Sequence, residues 1–285
     1  MKLGQRTRTR VGDIAVYAIL STLGLLWTLP ILYLLYTAFR VSPSTGIINS
    51  LIPDGLRLGI GNFERLFNET AFAIWLKNTL VVAFSSCAIT TLFVLMVSYA
   101  LSRLRFRFRK PIMNALLILG MFPGFMSMIA VYFILKAMGL TNSLLALVLV
   151  YSGSAALSYY ICKGFFDTIP RAMEEAAILE GASQPIVFLK VVLPLAKPII
   201  VYTVLTSFIA PWCDFIFVNT IISEREKYTV SLGLYKLINA EKSGFNENFT
   251  VFCAGATVVG GIIVTLFMSM QNYYVEGVTS GAVKG

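Results

Sequence analysis

No histidine occurs anywhere in the 285 residues of the chain. Imidazole general-base catalysis, histidine-ligated haem and most catalytic zinc sites are therefore excluded. The four cysteines, Cys87, Cys162, Cys213 and Cys253, stand singly within apolar runs and form no CxxC pair. We interpret them as small buried hydrophobic residues rather than as metal ligands or a redox pair.

Charged residues are also scarce, at 13% of the chain, whereas 57% of the residues are hydrophobic. A soluble domain usually carries about 25% charged residues. This composition therefore predicts a membrane protein. The net charge is +9, but the basic residues stand mainly at the ends of apolar runs, where they act as topology determinants, so no nucleic-acid binding is expected.

Six apolar runs approach or exceed the roughly 20 residues that a helix needs to cross the hydrocarbon core. The runs are continuously apolar rather than alternating, which favours helices over strands. We predict an all-α membrane protein with one transmembrane domain over 1–285. Its six transmembrane helices lie at about 11–39, 79–101, 111–138, 143–166, 198–222 and 251–274. Gly120, Pro123 and Gly124 predict a bend or break in the third helix.

The first apolar run is longer than the 7–15 residues of a signal peptide, and no small-residue cleavage site follows before Arg40. We therefore expect a retained helix. The N-terminus is basic, and the link 102–110 carries five basic residues and no acid. By the positive-inside rule, the N-terminus, this link and the segment 167–197 face the cytoplasm. An even number of spans places the C-terminus there too, and the segments 40–77 and 223–249 are then external.

The segment 167–197 is polar and is punctuated by glycine and proline. RAMEEAAILEGA predicts a short helix that ends near Gly181, where glycine allows a turn without a Cβ penalty. A second helix, PIVFLKVVL, follows and is predicted to stop at Pro194. The apolar face expected for the first helix consists of Ala176, Ala177, Leu179 and Ala182. Two interpretations remain open from the residues alone: a solvated connector, or a docking surface on which Glu175 accepts hydrogen bonds.

The order E-A-A, three residues, G and a later L-P resembles the EAA loop of bacterial ABC-importer permeases. In that family the loop forms a coupling helix that docks into a groove of the ATP-binding subunit. The family commonly has Asp where this chain has Glu180, which keeps the charge. The resemblance implies a cytoplasmic coupling loop between the fourth and fifth helices, with contacts to the ATPase made by Glu175, Ala176, Ala177, Gly181, Ala182, Leu193 and Pro194.

The resemblance covers most of the chain. WLKNT at 75–79, YALSRLRFR at 99–107 and WCDF at 212–215 are similar to the corresponding segments of carbohydrate permeases. The ending VEGVTSGAVKG, residues 275–285, resembles the C-terminus of the smaller permease subunit of maltose and maltodextrin importers. The implied protein is a multi-pass subunit of the bacterial cytoplasmic membrane that imports maltooligosaccharide-like sugars.

The same resemblance implies the partners: a second homologous permease, two ATP-binding subunits and an extracytoplasmic sugar-binding protein. The chain has no G-x-x-x-x-G-K-[ST] phosphate loop, so ATP and Mg are expected on the partner subunits. We expect no cofactor, no metal and no enzymatic activity on this chain itself.

Asp214 is an ionisable residue within the predicted fifth helix, and such residues are costly in a membrane and are functional candidates. Pro211 interrupts that helix just before it and frees backbone carbonyls. Trp212 and Asp214 are expected to line a translocation pathway and to meet a sugar by stacking and hydroxyl hydrogen bonds, with Asn219 a weaker candidate. The alternative places Asp214 near the external interface or in a pair with a neighbouring helix.

The tail, 275–285, is too polar to stay in the bilayer and too short to form a domain. The resemblance suggests that it reaches between the two ATPase subunits. Thr279, Ser280 and the backbone amides near Gly281 would then supply hydrogen bonds, and Lys284 a charge contact. The alternative is a frayed end.

Two other function classes are weighed against the importer. A stand-alone ion-coupled transporter is expected to carry internal repeats and mid-membrane charges, and Asp214 is the one plausible charge of this kind. An intramembrane enzyme lacks histidine and paired carboxylates in facing helices.

Overall fold

The computed structural model describes residues 5–41, 57–239 and 244–282. In these ranges the backbone is almost entirely helical, and extended residues pair only in an isolated antiparallel bridge between Arg40 and Leu58. The helices are α1 (Gln5–Phe39), α2 (Gly61–Glu69), α3 (Phe72–Arg103), α4 (Arg109–Met121), α5 (Gly124–Ala137), α6 (Leu144–Gly153), α7 (Ala156–Thr168), α8 (Arg171–Leu179), α9 (Gln184–Val187), α10 (Leu193–Leu195), α11 (Lys197–Cys213), α12 (Ile216–Ile221), α13 (Val230–Ile238) and α14 (Gly244–Ala282).

The chain divides into two compact units, 1–70 with 237–259, and 71–236 with 260–285. In the first unit, Asn62 of α2 joins α2 to the end of α1. Its side-chain amide donates to the carbonyl of Ala38 at 3.0 Å and to that of Arg40 at 2.8 Å. These carbonyls belong to the last turn of α1 and to the residue after it, where a helix has no intrahelical donors left. Asn62 therefore closes α1 with buried hydrogen bonds.

In the second unit, α3 is the central helix, and it packs against α11, α7 and α6. Two apolar clusters flank it. One cluster includes Val82, Leu147 and Leu232, and the other includes Val94 and Phe166. Each of these five side chains is at most 1% exposed. The long apolar sequence of α3 is therefore used for packing along most of its length.

In the described ranges, three helical stretches are long and apolar enough to cross a membrane: Val16–Phe39, Phe72–Arg103 and Asn248–Gln271. Up to six spans result if each of three bent helix pairs counts as one span. The second span begins at Phe72 rather than at 79, because Lys77 and Asn78 interrupt the apolar run without interrupting the helix.

The predicted third, fourth and fifth helices are not continuous. The helix at 109–121 meets the one at 126–137 at 106°, and α6 meets α7 at 42°. The predicted fifth helix is divided at Asp214 and Phe215, which separate α11 from α12. Pro123 explains the first break, since proline cannot donate the next helical hydrogen bond. The sequence alone indicated this break and missed the one at Ser154.

The predicted external loop 223–249 is not a free polar loop where the structure describes it. Val230, Leu232 and Leu234 of α13 are buried, and Tyr235 stacks on Phe215 with ring centroids 4.6 Å apart. One polar stretch lies at 223–227, where Lys227 hydrogen-bonds Glu224 and lowers the pKa of that carboxyl. Residues 240–243 lie outside the described part of the chain, as do residues 42–56 of the other predicted external segment.

The start of α3 holds this segment in place through the WLKNT sequence. The Asn78 amide donates to the carbonyls of Glu226 at 2.8 Å and Tyr228 at 3.0 Å. The Thr79 hydroxyl accepts the backbone N–H of Val230 at 2.8 Å. A short polar sequence thus fixes the backbone that leads into α13, which gives these residues a structural role.

We predict that Gly233→Ala destabilises the protein. A Cβ at position 233 would lie 2.2 Å from the ring of Trp75, which is only 2% exposed and has no room to move aside. Overpacking of this kind costs about 1–3 kcal/mol. The measurement is the thermal unfolding midpoint of the purified protein. Gly164→Ala is the control, because a Cβ there meets no atom within 4 Å. Equal midpoints for the two variants would contradict the close packing of Gly233 on Trp75.

Candidate functional site: the α8–α10 segment and its anchor

The segment from α8 to α10 contains the EAA-like sequence. Gly181 has φ +89°, a left-handed conformation that glycine adopts without strain, and it ends the turn after α8. Ala177 and Ala182 are half-buried against the cluster that contains Phe166. Glu175 is exposed on α8. The segment thus has an inner face that packs on this cluster and an outer face that carries a carboxylate.

The apolar face predicted for α8 is wrong in two of its four residues. Ala176 is exposed, and Leu179 is 90% exposed, so both point away from the protein. The inner positions are taken by Ala177, Ala182 and the buried Glu174. The helical spacing alone favoured an all-apolar inner face, because it gave no sign that a glutamate was buried there.

The predicted stop at Pro194 is also wrong. After α9 the chain forms a π-helical turn over Phe188–Val192 and continues through α10. Pro194 follows this π-helical turn and is next to last in the helical stretch 184–195. The bend falls instead at Ala196, and the helical stretch 184–195 meets α11 at 82°. Leu193 is half-buried against the same apolar cluster, and Pro194 is exposed.

Glu174 and Arg103 form a buried ion pair that joins α8 to the end of α3. The Arg103 Nε lies 2.5 Å from a carboxylate oxygen of Glu174, and the two side chains are only 6% and 9% exposed. Arg103 Nη2 also donates to the carbonyl of Ile169 at 2.8 Å. The Tyr99 hydroxyl lies 3.4 Å from the other Glu174 oxygen and 3.3 Å from the Gln184 side-chain oxygen. The carboxylate is thus held by donors from two turns of α3.

A second set of polar contacts lies beside this pair. The Ser102 hydroxyl donates to Asp167 at 2.6 Å, and the Lys163 ammonium forms an ion pair with the same carboxylate. Lys163 lies within the predicted fourth span and is an intramembrane charge that was not among the predicted functional candidates. Its pairing with Asp167 four residues later explains how a charge is accommodated in this helix.

The three predicted pathway residues do not converge. Asp214 lines a cavity of about 340 Å³, where its carboxylate accepts hydrogen bonds from the Tyr151 hydroxyl at 3.1 Å and from the backbone N–H of Phe217 at 3.0 Å. Trp212 is 3% exposed, packs on Phe208, and its indole N–H finds no partner among the described residues. Asn219 is exposed on α12.

The predicted tail is continuous with the last helix. The backbone of α14 runs through Ala282 and includes Thr279, Ser280 and Gly281, whereas the predicted sixth span ends at 274. The side chains after 271 and all of Lys284 lie outside the described part of the chain. Among the side chains that are described, no group of three or more acidic or cysteine residues is placed to hold a metal ion.

Comparison with known proteins identifies the family. The family described as "Binding-protein-dependent transport system inner membrane component" matches residues 94–276. The chain belongs to this family, and it is therefore a multi-pass inner-membrane transport component rather than an enzyme. This confirms the class predicted from the EAA-like sequence. Membership supports the importer and gives no support to the ion-coupled alternative.

Named relatives align along nearly the whole chain. The maltodextrin transport system permease protein MdxG of Bacillus subtilis is 31% identical over 280 residues, which cover 98% of this chain and 99% of the relative. The galactooligosaccharides transport system permease protein GanQ of the same species is 30% identical over 274 residues, or 94% of each chain.

A solved structure shares the fold. It is a bacterial ABC transporter involved in the import of the acidic polysaccharide alginate, and it superposes with a TM-score of 0.81 over 96% of this chain and 100% of that one. At 19% identity this similarity shows the fold alone.

We predict that Glu174→Gln destabilises the protein, because it leaves the Arg103 guanidinium buried without a counter-charge. Breaking a buried pair costs about 3 kcal/mol, which should lower the thermal midpoint by roughly 5–10 °C. The matched control is Glu69→Gln, which removes an exposed pair with Arg65 and is worth less than about 1 kcal/mol. Exchanging the two charges, as Arg103→Glu with Glu174→Arg, should recover part of the loss. Equal midpoints for Glu174→Gln and Glu69→Gln would show that the buried pair is not an anchor.

Proposed function

We propose that this chain is a permease subunit of an ATP-driven importer of oligosaccharides, and that the α8–α10 segment couples it to ATP hydrolysis on partner subunits. The observation that carries the proposal is the anchored position of this segment. Its inner face is tied to α3 by Glu174 and Arg103, while Glu175 and Leu179 remain exposed. A connector would need no buried ion pair, whereas a segment that transmits motion needs a rigid attachment.

The remaining partners follow from the family and the relatives. A second permease, two ATP-binding subunits that hold ATP and Mg, and an extracytoplasmic sugar-binding protein complete the proposed assembly. The names of the two relatives given above refer to the transport of maltodextrin and of galactooligosaccharides. We propose an oligosaccharide of the maltooligosaccharide type as the substrate.

We also propose that α8–α10 faces the cytoplasm. Arg103 is the last residue of α3 and lies in the basic link 102–110, and its contacts with Glu174 and Ile169 bring this end of α3 beside α8. The other end of α3 holds the segment 226–230 through Asn78 and Thr79. A helix of 32 residues spans about 48 Å, enough to separate the two ends by a bilayer. The positive-inside rule then assigns the basic end to the cytoplasm.

The coupling surface is assigned to the exposed side of this segment. Glu175 would accept hydrogen bonds from the ATP-binding subunit, and Ala176 and Pro194 would allow a close approach. Gly181 sets the turn that orients α8. Ala177, Ala182 and Leu193 act from the inner side, because they pack the segment onto the apolar cluster.

Asp214 is the pathway residue that the geometry supports best, because it lines a cavity at a helix break. Asn219 remains a proposed pathway residue, since its side chain is exposed on the following helix. Trp212 would contribute to the pathway through its unpartnered indole N–H only after a rearrangement that exposes it.

We predict that Gly181→Val lowers sugar-stimulated ATP hydrolysis in the assembled transporter. A Cβ at 181 meets no atom within 4 Å, so the cost is backbone strain of about 1–2 kcal/mol, which is relieved by reorienting α8. The measurement is ATPase stimulation by the sugar-loaded binding protein. Gly139→Val is the control, since Gly139 also has positive φ and open space around its Cβ position. Equal stimulation in the two variants would contradict the coupling assignment.

Deletion of residues 278–285 tests the proposed contact of the tail with the ATPase subunits. This deletion removes all the residues proposed to make the contact: Thr279, Ser280, Gly281 and Lys284. We expect less assembled complex and slower ATP turnover, because the proposed contacts of the tail with the two ATPase subunits would be absent. Two quantities are measured: the amount of ATPase subunits recovered with the purified permease, and the rate of ATP hydrolysis by the assembled complex. Wild-type values for both would show that the tail is only a chain end.

A further inference from the structure

Three interrupted helices open onto one cavity. Gly124 begins α5 after the break at Phe122 and Pro123, Ser154 lies in the break between α6 and α7, and Asp214 lies in the break between α11 and α12. All three residues line the cavity of about 340 Å³. This volume lies within the range of about 300–1,000 Å³ that is typical of small-molecule sites. Broken helices are tolerated inside a membrane where they are buried in protein or line a water-filled cavity, and in transporters they mark binding sites.

The polar side chains of the cavity have already used their donors. The Tyr151 hydroxyl donates to Asp214, the Ser154 hydroxyl to the Val150 carbonyl at 2.8 Å, and the Ser127 hydroxyl to the Gly124 carbonyl at 2.8 Å. Each hydroxyl oxygen keeps lone pairs, and each Asp214 oxygen keeps one beyond its present bond. These groups therefore offer acceptors to a ligand, and a ligand that satisfies them must bring hydrogen-bond donors.

The rest of the wall is apolar and includes Met128, Val131 and Phe217. Asp214 is the one charged residue among the described lining residues. A neutral sugar matches this combination, because it presents many O–H donors at its edges and C–H groups on its ring faces. A ligand carboxylate would instead meet Asp214 without a cation to neutralise either charge, and like charges in contact are disfavoured. A bare cation would leave the apolar wall without a partner.

We propose that this cavity is a subsite for one ring of a neutral oligosaccharide and that Asp214 selects against acidic sugars. The inference rests on the proposed function, since it assigns part of the transport path to this chain. Asp214 and the hydroxyls of Tyr151, Ser127 and Ser154 accept hydrogen bonds from sugar hydroxyls. Ring C–H groups pack on the apolar side chains.

The test is protection of a cysteine placed in the cavity. Cys213 is exposed, so Cys213→Ser gives a background in which Ser154→Cys can be labelled by a charged thiol reagent. In the assembled transporter, maltotriose at about ten times its half-protecting concentration should slow labelling of residue 154 about tenfold, because about nine-tenths of the cavities are then occupied. Ser223→Cys in the same background is the control, because Ser223 is exposed and does not line the cavity. Its labelling should not change.

Selectivity gives the second measurement. A trisaccharide of uronic acids should need at least about tenfold more sugar than maltotriose for half-protection, because of like-charge repulsion. Asp214→Asn should reduce this difference to within about threefold, since it removes the charge and keeps an oxygen that can accept from Tyr151. Gly124→Leu should abolish protection by filling the cavity, since a Cβ at 124 meets no atom within 4 Å. Gly164→Leu should not abolish it.

The outcomes separate this proposal from the proposed function. If sugar-stimulated ATP hydrolysis is normal but maltotriose protects neither the cavity cysteine nor the control, the subsite is contradicted and the importer stands. Protection by sodium chloride alone would assign the cavity to a cation and overturn the proposal. If the neutral and acidic trisaccharides reach half-protection at the same concentration in the protein that keeps Asp214, the selectivity claim is overturned. If no ATPase assembles with the chain, the proposed function fails first.

Discussion

The buried ion pair of Arg103 and Glu174 is the interaction on which the functional interpretation depends. Two charges removed from water are costly, and they remain buried only if they satisfy each other and their remaining hydrogen bonds. Here Tyr99, Gln184 and the Ile169 carbonyl complete the set. The end of α3 and the start of the α8–α10 segment are therefore held in one arrangement. Any movement of α8 must displace α3 or break these bonds.

The opposite end of α3 is fixed in the same manner. Asn78 and Thr79 bind the backbone at 226–230, and Trp75 packs against Gly233. A single long helix thus carries polar anchors at both ends and apolar packing between them. The α8–α10 segment and the segment 226–230 are therefore both attached to α3. The cavity at Asp214 lies in the same unit, among the helices that are broken rather than continuous.

Hydrophobic runs were sufficient to predict an all-helical membrane protein, whereas the EAA-like segment was identified by its resemblance to a family motif. The position of Gly181 was predicted because a left-handed turn depends on the residue itself. Glu174 was missed because its burial depends on Arg103, which is 71 residues away in the sequence. The break at Ser154 was missed because the sequence is apolar on both sides of Ser152, Gly153 and Ser154 and contains no proline there. Long-range partners and helix breaks without proline are therefore the features that periodicity leaves undetermined.

The central claim is that the exposed side of α8 contacts an ATP-binding subunit while its inner side is tied to α3. Leu179 tests it most directly, because it is 90% exposed in this chain and has no packing role here. A photo-reactive amino acid at position 179 should cross-link the assembled transporter to an ATP-binding subunit. The same group at Phe84, which is 64% exposed on the middle of α3, should not. Efficient cross-linking from 84 and none from 179 would contradict the account.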